Sequence, residues 1–149
     1  MEYTAHIRET DGREQTVGEH TEGVKKLSVM FAESYGVSAI AAVAALVHDI
    51  GKLTVDFADY IHNRNSYARG DIDHSYAGAK YIMELAGKVG GQEVDAAAKL
   101  IAHIVISHHG LHDWIDKECN DYFKKRISKS DRYLSLIHIS EPTRHAQIS

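Results

Sequence analysis

The stretch Leu46-Val47-His48-Asp49-Ile50-Gly51-Lys52 constrains this chain more than any other. It closes an Ala-rich apolar run, Ala39 to Val47, with a histidine, an aspartate and a lysine crowded into five positions. The run reads as a helix that is apolar nearly all round and therefore central. An imidazole beside a carboxylate at the end of such a helix is costly unless something pairs with both. A divalent transition metal does so, because histidine nitrogen and aspartate oxygen are among its natural ligands. The rest of the chain can be arranged around that demand: His20 lies upstream, and His74 and the pair His108-His109 lie downstream.

Composition narrows the class. The 149 residues suffice for one domain with a sizeable core, and 44% hydrophobic, 26% charged and a single proline describe a soluble helical protein. No apolar run reaches the roughly 20 residues needed to span a bilayer, and the polar N-terminus is no signal peptide. The single Cys119 excludes an internal disulfide and suits a reducing cytoplasm. A net charge of −4 argues against gripping nucleic acid by charge alone. Histidine, at eleven, is the unusual count.

The C-terminal segment 134–149, LSLIHISEPTRHAQIS, resembles a translated reading frame of the adapter used in transposase-based DNA sequencing libraries. Native sequence is therefore expected to end near Tyr133, with residues 1–133 forming one partial domain and 134–149 a non-native tail.

Within residues 1–133, Tyr3 to Ile7 and Arg13 to Val17 flank Asp11-Gly12 and predict a short hairpin or extended arm, with His6 either facing the site or, as the favoured reading, an exposed polar residue. Thr16 and Glu19 form a capping box for a first helix whose inward stripe is Val17, Thr21, Val24, Leu27 or Ser28, and Phe31, and which Gly36 stops. His20, taken alone, reads as a satisfied boundary residue. Ser38 caps a second helix, Ala39 to about Asp49, ended by Gly51. Thr54 caps a third through Asn63, with Val55, Ala58 and Ile61 facing in. Residues 64–72 form a polar loop, and Asp73 caps a fourth helix from His74 to about Ala86. Gly87 to Gln92 reads as a connection without a phosphate loop. A fifth helix, Glu93 to His108, buries Val94, Ala97, Ala98, Ile101, Ile104 and Val105. His108 continues that stripe, whereas His103 lies about 140° away around the helix. After a loop with Trp114, Asn120 caps a sixth helix, Asp121 to Ile127. Its Lys124, Lys125 and Arg126, with nearby Lys129, read as a solvated basic face.

Each histidine alone has a bland reading, but together they fall at helix ends or first turns, where ligands from several helices converge. The order His, His-Asp, His, His-His on helices resembles the HD superfamily of metal-dependent phosphohydrolases. The wording ALVHDIGK, DHSYAGA and ISHHG, with the opening AHIRETDGREQTVGEH, is similar to the HD nuclease domain of the type I CRISPR helicase-nuclease. That resemblance implies an all-α helical bundle, truncated here at its C-terminal end. It implies that His20, His48 and Asp49 bind one ion, and that Asp49, His74, His108 and His109 bind a second. Lys52 would approach the scissile phosphate and, with Asp49, serve catalysis. The cofactor would be one or two divalent transition ions (Mn, Fe, Ni or Co, with Mg as a further option). The activity would be endonucleolytic and 3′-to-5′ exonucleolytic cutting of single-stranded DNA, delivered by a fused or separate helicase and an RNA-guided surveillance complex, with no membrane.

One departure matters. The family pattern ends with a further aspartate well downstream of the His-His pair, and Asp113, Asp116, Asp121 and Asp131 lie too close to His109 to match it. The expectation for this chain is therefore weak or absent cutting. Two other readings remain. One is an HD hydrolase of a nucleotide signal such as cyclic di-GMP, although that branch carries Glu after the His pair where this chain has Gly110. The other is a non-catalytic metal-binding fragment.

Overall fold

The computed structural model describes residues 3–64, 74–110, 118 and 121–128. Among them are a two-stranded hairpin and six α-helices, so the all-α expectation holds. Strands β1 (Thr4–Ile7) and β2 (Glu14–Thr16) pair antiparallel around the Asp11-Gly12 turn, as expected. Their register slips between Thr4 and His6, which leaves Ala5 as an extra residue on β1.

Thr16 then opens α1 (Val17–Ala32) with the expected capping box: Thr16 Oγ1 accepts from the Glu19 amide at 3.1 Å, and the Glu19 carboxylate accepts from the Thr16 amide at 3.0 Å. Gly36, in the left-handed region at φ 69°, stops the chain after α1. The remaining helices are α2 (Ser38–Val47), α3 (Val55–Ile61), α4 (Ser75–Val89), α5 (Gln92–Ile106) and α6 (Tyr122–Ile127).

The core is a seam of five alanines and five valines and isoleucines where α2, α4 and α5 meet: Ala44 and Val47, then Ala79, Ile82 and Ala86, then Ala98, Ile101, Ala102, Val105 and Ile106. Alanines at facing positions let the helix backbones come close. Gly78 carries this furthest, since its α-carbon lies against the Val47 carbonyl. Helix α1 covers α2 from the other side, and α6 packs on α4. No single helix among the described residues is long and apolar enough to cross a membrane.

Several sequence expectations need correction. Helix α2 begins at Ser38 rather than after it, and its N-cap is Val37, with no side-chain cap. It ends at Val47, two residues earlier than expected. Gly51 is not its stop but lies inside a 3₁₀ turn, Ile50–Leu53. The inward face of α1 runs through Val17, Thr21, Val24, Ser28 and Ala32, so that Leu27 and Phe31 point outward, Phe31 being 68% exposed. Thr54 does cap α3, but Phe57 is the buried residue there and Val55 faces solvent. Helix α4 continues through Gly87 to Val89 and stops at Gly90. On α5 the buried positions are Ala98, Ile101, Ala102, Val105 and Ile106; Ile104 is largely exposed. Asp121 itself caps α6, its carboxylate accepting from the Lys124 amide at 2.8 Å. Arg126 belongs to no solvated face, because it is buried. The expectations for Asp73, Trp114, Asn120, Lys129, the 64–72 loop beyond Arg64 and the tail fall outside the described residues.

Candidate metal centre

Chain geometry collects the site from four helices. His20 lies in the first turns of α1, beyond the cap that fixes the helix start. His48 is the C-cap of α2, and Asp49 follows at φ −110°, ψ 17°, outside helical geometry. The Asp49 side chain caps nothing, so its carboxylate is left to the site. The next turn then presses against the start of α4: a Cβ at Gly51 would stand 2.7 Å from both Cα and Cβ of His74. Only glycine permits that approach, and it brings His74, the N-cap of α4, to the Asp49 side. His108 and His109 follow the end of α5, where the His108 amide bonds to Val105 O at 3.4 Å.

Asp49 is the hub, 2% exposed. Its Oδ2 lies 3.2 Å from His20 Nε2, 3.2 Å from His48 Nε2 and 3.0 Å from Lys52 Nζ. Its Oδ1 faces the other way, 3.5 Å from His108 Nε2 and 3.7 Å from His74 Nε2. His74 and His109 approach at 2.6 Å through their Nε2 atoms. Asp49, His74, His108 and His109 thus offer four donor atoms all within 4.8 Å of one another. All six histidine and aspartate positions singled out in the sequence meet around this one carboxylate.

The proton arrangement shows what the cluster requires. His48 Nδ1 donates to Ala45 O at 2.7 Å and His108 Nδ1 to Val105 O at 2.5 Å. In a neutral His108 ring the Nε2 lone pair is therefore left pointing at Asp49 Oδ1, which is also an acceptor. Among the described residues, Asp49 Oδ1 and His108 Nε2 are buried without a hydrogen bond. Lone pairs aimed at each other in a dry site call for a cation, and backbone-anchored imidazoles are the usual support of a metal ligand.

The ionisation tendencies agree. Burial pushes His74 down to about 4, against the pull of Asp49, so it is a neutral donor at physiological pH. Burial lowers His20 and His109 as well. His48 goes the other way: burial would lower it, but the hydrogen bond with Asp49 and its charge raise it above the ordinary value. Burial disfavours the Asp49 anion, yet His108, His48 and Lys52 overcome this and hold its carboxyl well below the usual range.

The donor set fits a transition metal. His20 Nε2 and His48 Nε2 are 3.2 Å apart, so with Asp49 Oδ2 they make a triangle with sides of 3.2 Å. Donors around an ion with bonds of about 2.1 Å in a tetrahedron stand about 3.4 Å apart.

Two placements bear on the sequence reading. Lys52 is 3% exposed, and its ammonium donates to Asp49, to Ala5 O at 3.4 Å and toward His6 Nε2 at 3.3 Å. His6 is both exposed and turned to the site, its ring centroid 4.6 Å from that of His20. The bulge that turns it inward leaves no mark in the hairpin's sequence. His103, set aside on helical phase, indeed stacks on Phe123 at 3.7 Å, away from the centre. The sequence reading also missed Arg126, whose guanidinium bonds Ile106 O at 3.0 Å and Ser75 Oγ at 2.5 Å and so ties the residues flanking His74 and His108 together.

No curated protein matches this chain as a relative. The HD domain family matches residues 17–138, which include all six clustered ligand candidates and leave the hairpin outside. With a His/Asp cluster of metal-binding geometry inside that match, the chain belongs to the HD family of metal-dependent hydrolases.

Proposed function

We propose that this chain hydrolyses phosphodiester bonds of single-stranded DNA in CRISPR interference and antiviral defence, using one or two divalent transition ions. The observation that carries the hydrolytic reading is the two-sided Asp49. One buried carboxylate turns Oδ2 to His20 and His48, and Oδ1 to His74 and His108. His20, His48 and Asp49 would hold one ion, and Asp49, His74, His108 and His109 the other. Bound ions supply Lewis acidity, which activates water and stabilises charge on the attacking and leaving oxygens of an in-line displacement.

The protein's own contribution is preorganisation. The Ala45 and Val105 carbonyls fix the His48 and His108 tautomers. The α2–α4–α5 seam closes the site from behind and keeps the carboxylate dry. Lys52 contributes a fixed positive charge behind Asp49 rather than a direct contact with phosphate, and so lowers the cost of gathering anionic groups there.

The choice of single-stranded DNA is supported by the wording ALVHDIGK, DHSYAGA and ISHHG, and by Gly110 in place of the Glu of the cyclic di-GMP branch. A net charge of −4 does not draw in a polyanion. We therefore assign delivery of the strand to a helicase, fused or separate, and an RNA-guided complex in the cytoplasm.

The test is cleavage of circular single-stranded DNA by the metal-loaded chain, with cyclic di-GMP assayed alongside. The expected result is slow cutting with Mn, Ni or Co, abolished in His48→Ala. Hydrolysis of cyclic di-GMP without DNA cutting would replace the substrate. Stoichiometric metal with no hydrolysis of either would make the chain a metal-binding module.

A further inference from the structure

We propose that His6, on the N-terminal hairpin, is a ligand of the ion held by His20, His48 and Asp49, and so is a donor from outside the HD match. The inference rests on the metal-centre reading above. That reading gives the ion three donors in a triangle with sides of 3.2 Å. A divalent transition ion takes roughly four to six donors, so at least one is still needed on that side.

Among the described residues His6 is the donor in reach. His6, His20 and Asp49 offer atoms all within 4.8 Å of one another, and the His6 and His20 rings meet edge to face at 4.6 Å. The placement is built into the backbone. The extra residue at Ala5 breaks the alternation of β1 between Thr4 and His6, and bulges of this kind re-aim the side chain that follows. The hairpin is held against the start of α1 by the Val17 amide, which donates to Tyr3 O at 2.8 Å. His6 remains exposed, so it closes the solvent side of the triangle, where an ion enters.

A second observation shows that these atoms attract a cation. The Lys52 ammonium, 3% exposed, lies 3.0 Å from Asp49 Oδ2 and 3.3 Å from His6 Nε2. The lone pair of His6 and the carboxylate oxygen that faces His20 and His48 already converge on one positive charge. An ion at the His20–His48–Asp49 face competes with that ammonium for the single His6 lone pair, so ligation by His6 requires Lys52 to turn away from it.

The test uses the full 149-residue chain, stripped with a chelator and titrated with Co(II). Affinity is read by calorimetry and coordination by the visible absorption of bound Co(II). Variants are His6→Ala, His6→Asp, which retains a donor, and Gln15→Ala, which alters the paired hairpin residue without removing a donor. Loss of groups that merely support a ligand weakens metal sites about 10- to 100-fold, so His6→Ala is expected to weaken one bound ion by at least that much and to change the Co(II) spectrum. His6→Asp is expected to recover part of the affinity, and Gln15→Ala to match wild type. Wild-type affinity and spectrum in His6→Ala overturn the proposal while leaving the metal centre intact. Equal weakening by Gln15→Ala also overturns it, since the effect would then belong to the hairpin as a whole. A wild-type chain that binds no ion overturns the metal reading itself.

Discussion

Adding a single methyl group to Gly78 tests the seam on which the site is built. In an isolated helix Gly→Ala stabilises by about 1 kcal/mol, so propensity alone predicts a gain. In this fold the new Cβ would overlap the Val47 carbonyl oxygen, stand 2.8 Å from Val47 C and meet Val105 Cγ1 at 3.1 Å. The obstacle is backbone, which cannot rotate away as a side-chain tip can. Helices α2 and α4 would have to part, loosening the alanines packed around them. Overpacking of a tight core costs about 1–3 kcal/mol, and the backbone clash places this case at the upper end, leaving a net loss of about 2 kcal/mol after the propensity gain. For a domain of this size that lowers Tm by roughly 4–8 °C. Gly87→Ala, on the same helix, is the control, because a Cβ there meets nothing within 4 Å; it should be neutral or raise Tm by a few degrees. Thermal melts and urea titrations of the metal-free chain read both. If Gly78→Ala melts no lower than Gly87→Ala, α2 and α4 do not approach as described, and the account of the seam behind the site fails with it.

Arg126→Met should cost about 3 kcal/mol, since it removes charge-assisted bonds to Ile106 O and Ser75 Oγ from a buried position. Arg126→Lys should recover only part of this in urea titrations, because one ammonium cannot reproduce the fork. Metal-free protein should also lose stability as pH falls from 6.5 toward 4. His74 has a folded value of about 4, so the unfolded chain takes up its proton first, and the neutral-His74 contribution is complete above 6.5 and lost on the way down. His6, His20 and His109 are lowered too and act with the same sign. His48 is raised and opposes them, its contribution present below 6.5 and lost as pH rises through its folded value. Urea midpoints at pH 7.5, 5.5 and 4.5 check this, and a midpoint that rises on acidification would reverse the sign. Co(II) loading near neutral pH should release a proton from His48, which calorimetry in buffers of different ionisation enthalpy would detect.

The parts of this molecule legible in its sequence are those carried by local chemistry. Thr16 and Glu19 announce the start of α1 because the capping box is a contact within one turn. The His-Asp, His and His-His segments are recognisable because a dry carboxylate beside an imidazole has few partners that satisfy both. What could not be read depends on contacts distant in sequence. On α1 the largest apolar groups, Leu27 and Phe31, point outward while Ser28 and Ala32 face α2. Gly51 has the appearance of a helix stop; its role is steric, toward His74, 23 positions away. Arg126 sits among lysines and resembles them until its acceptors on α4 and α5 are in view.

The position of Asp49 joins stability to chemistry. His20 and His48 come from the α1–α2 pair, and His74, His108 and His109 from the ends of α4 and α5. The two pairs meet through a seam in which five of ten residues are alanines, each burying little apolar area. Asp49 is the residue whose separate oxygens face both sets. Ions gathered on its two sides would therefore draw the two helix pairs together as well as assemble the reactive centre. Binding that favours the folded state adds stability in proportion to RT ln(1 + [L]/Kd), about 2.7 kcal/mol at a hundredfold excess over Kd. That is comparable to the net loss worked out for Gly78→Ala. In this architecture the cofactor and the seam act on the same interface, so a loosened seam should be partly closed by the ions.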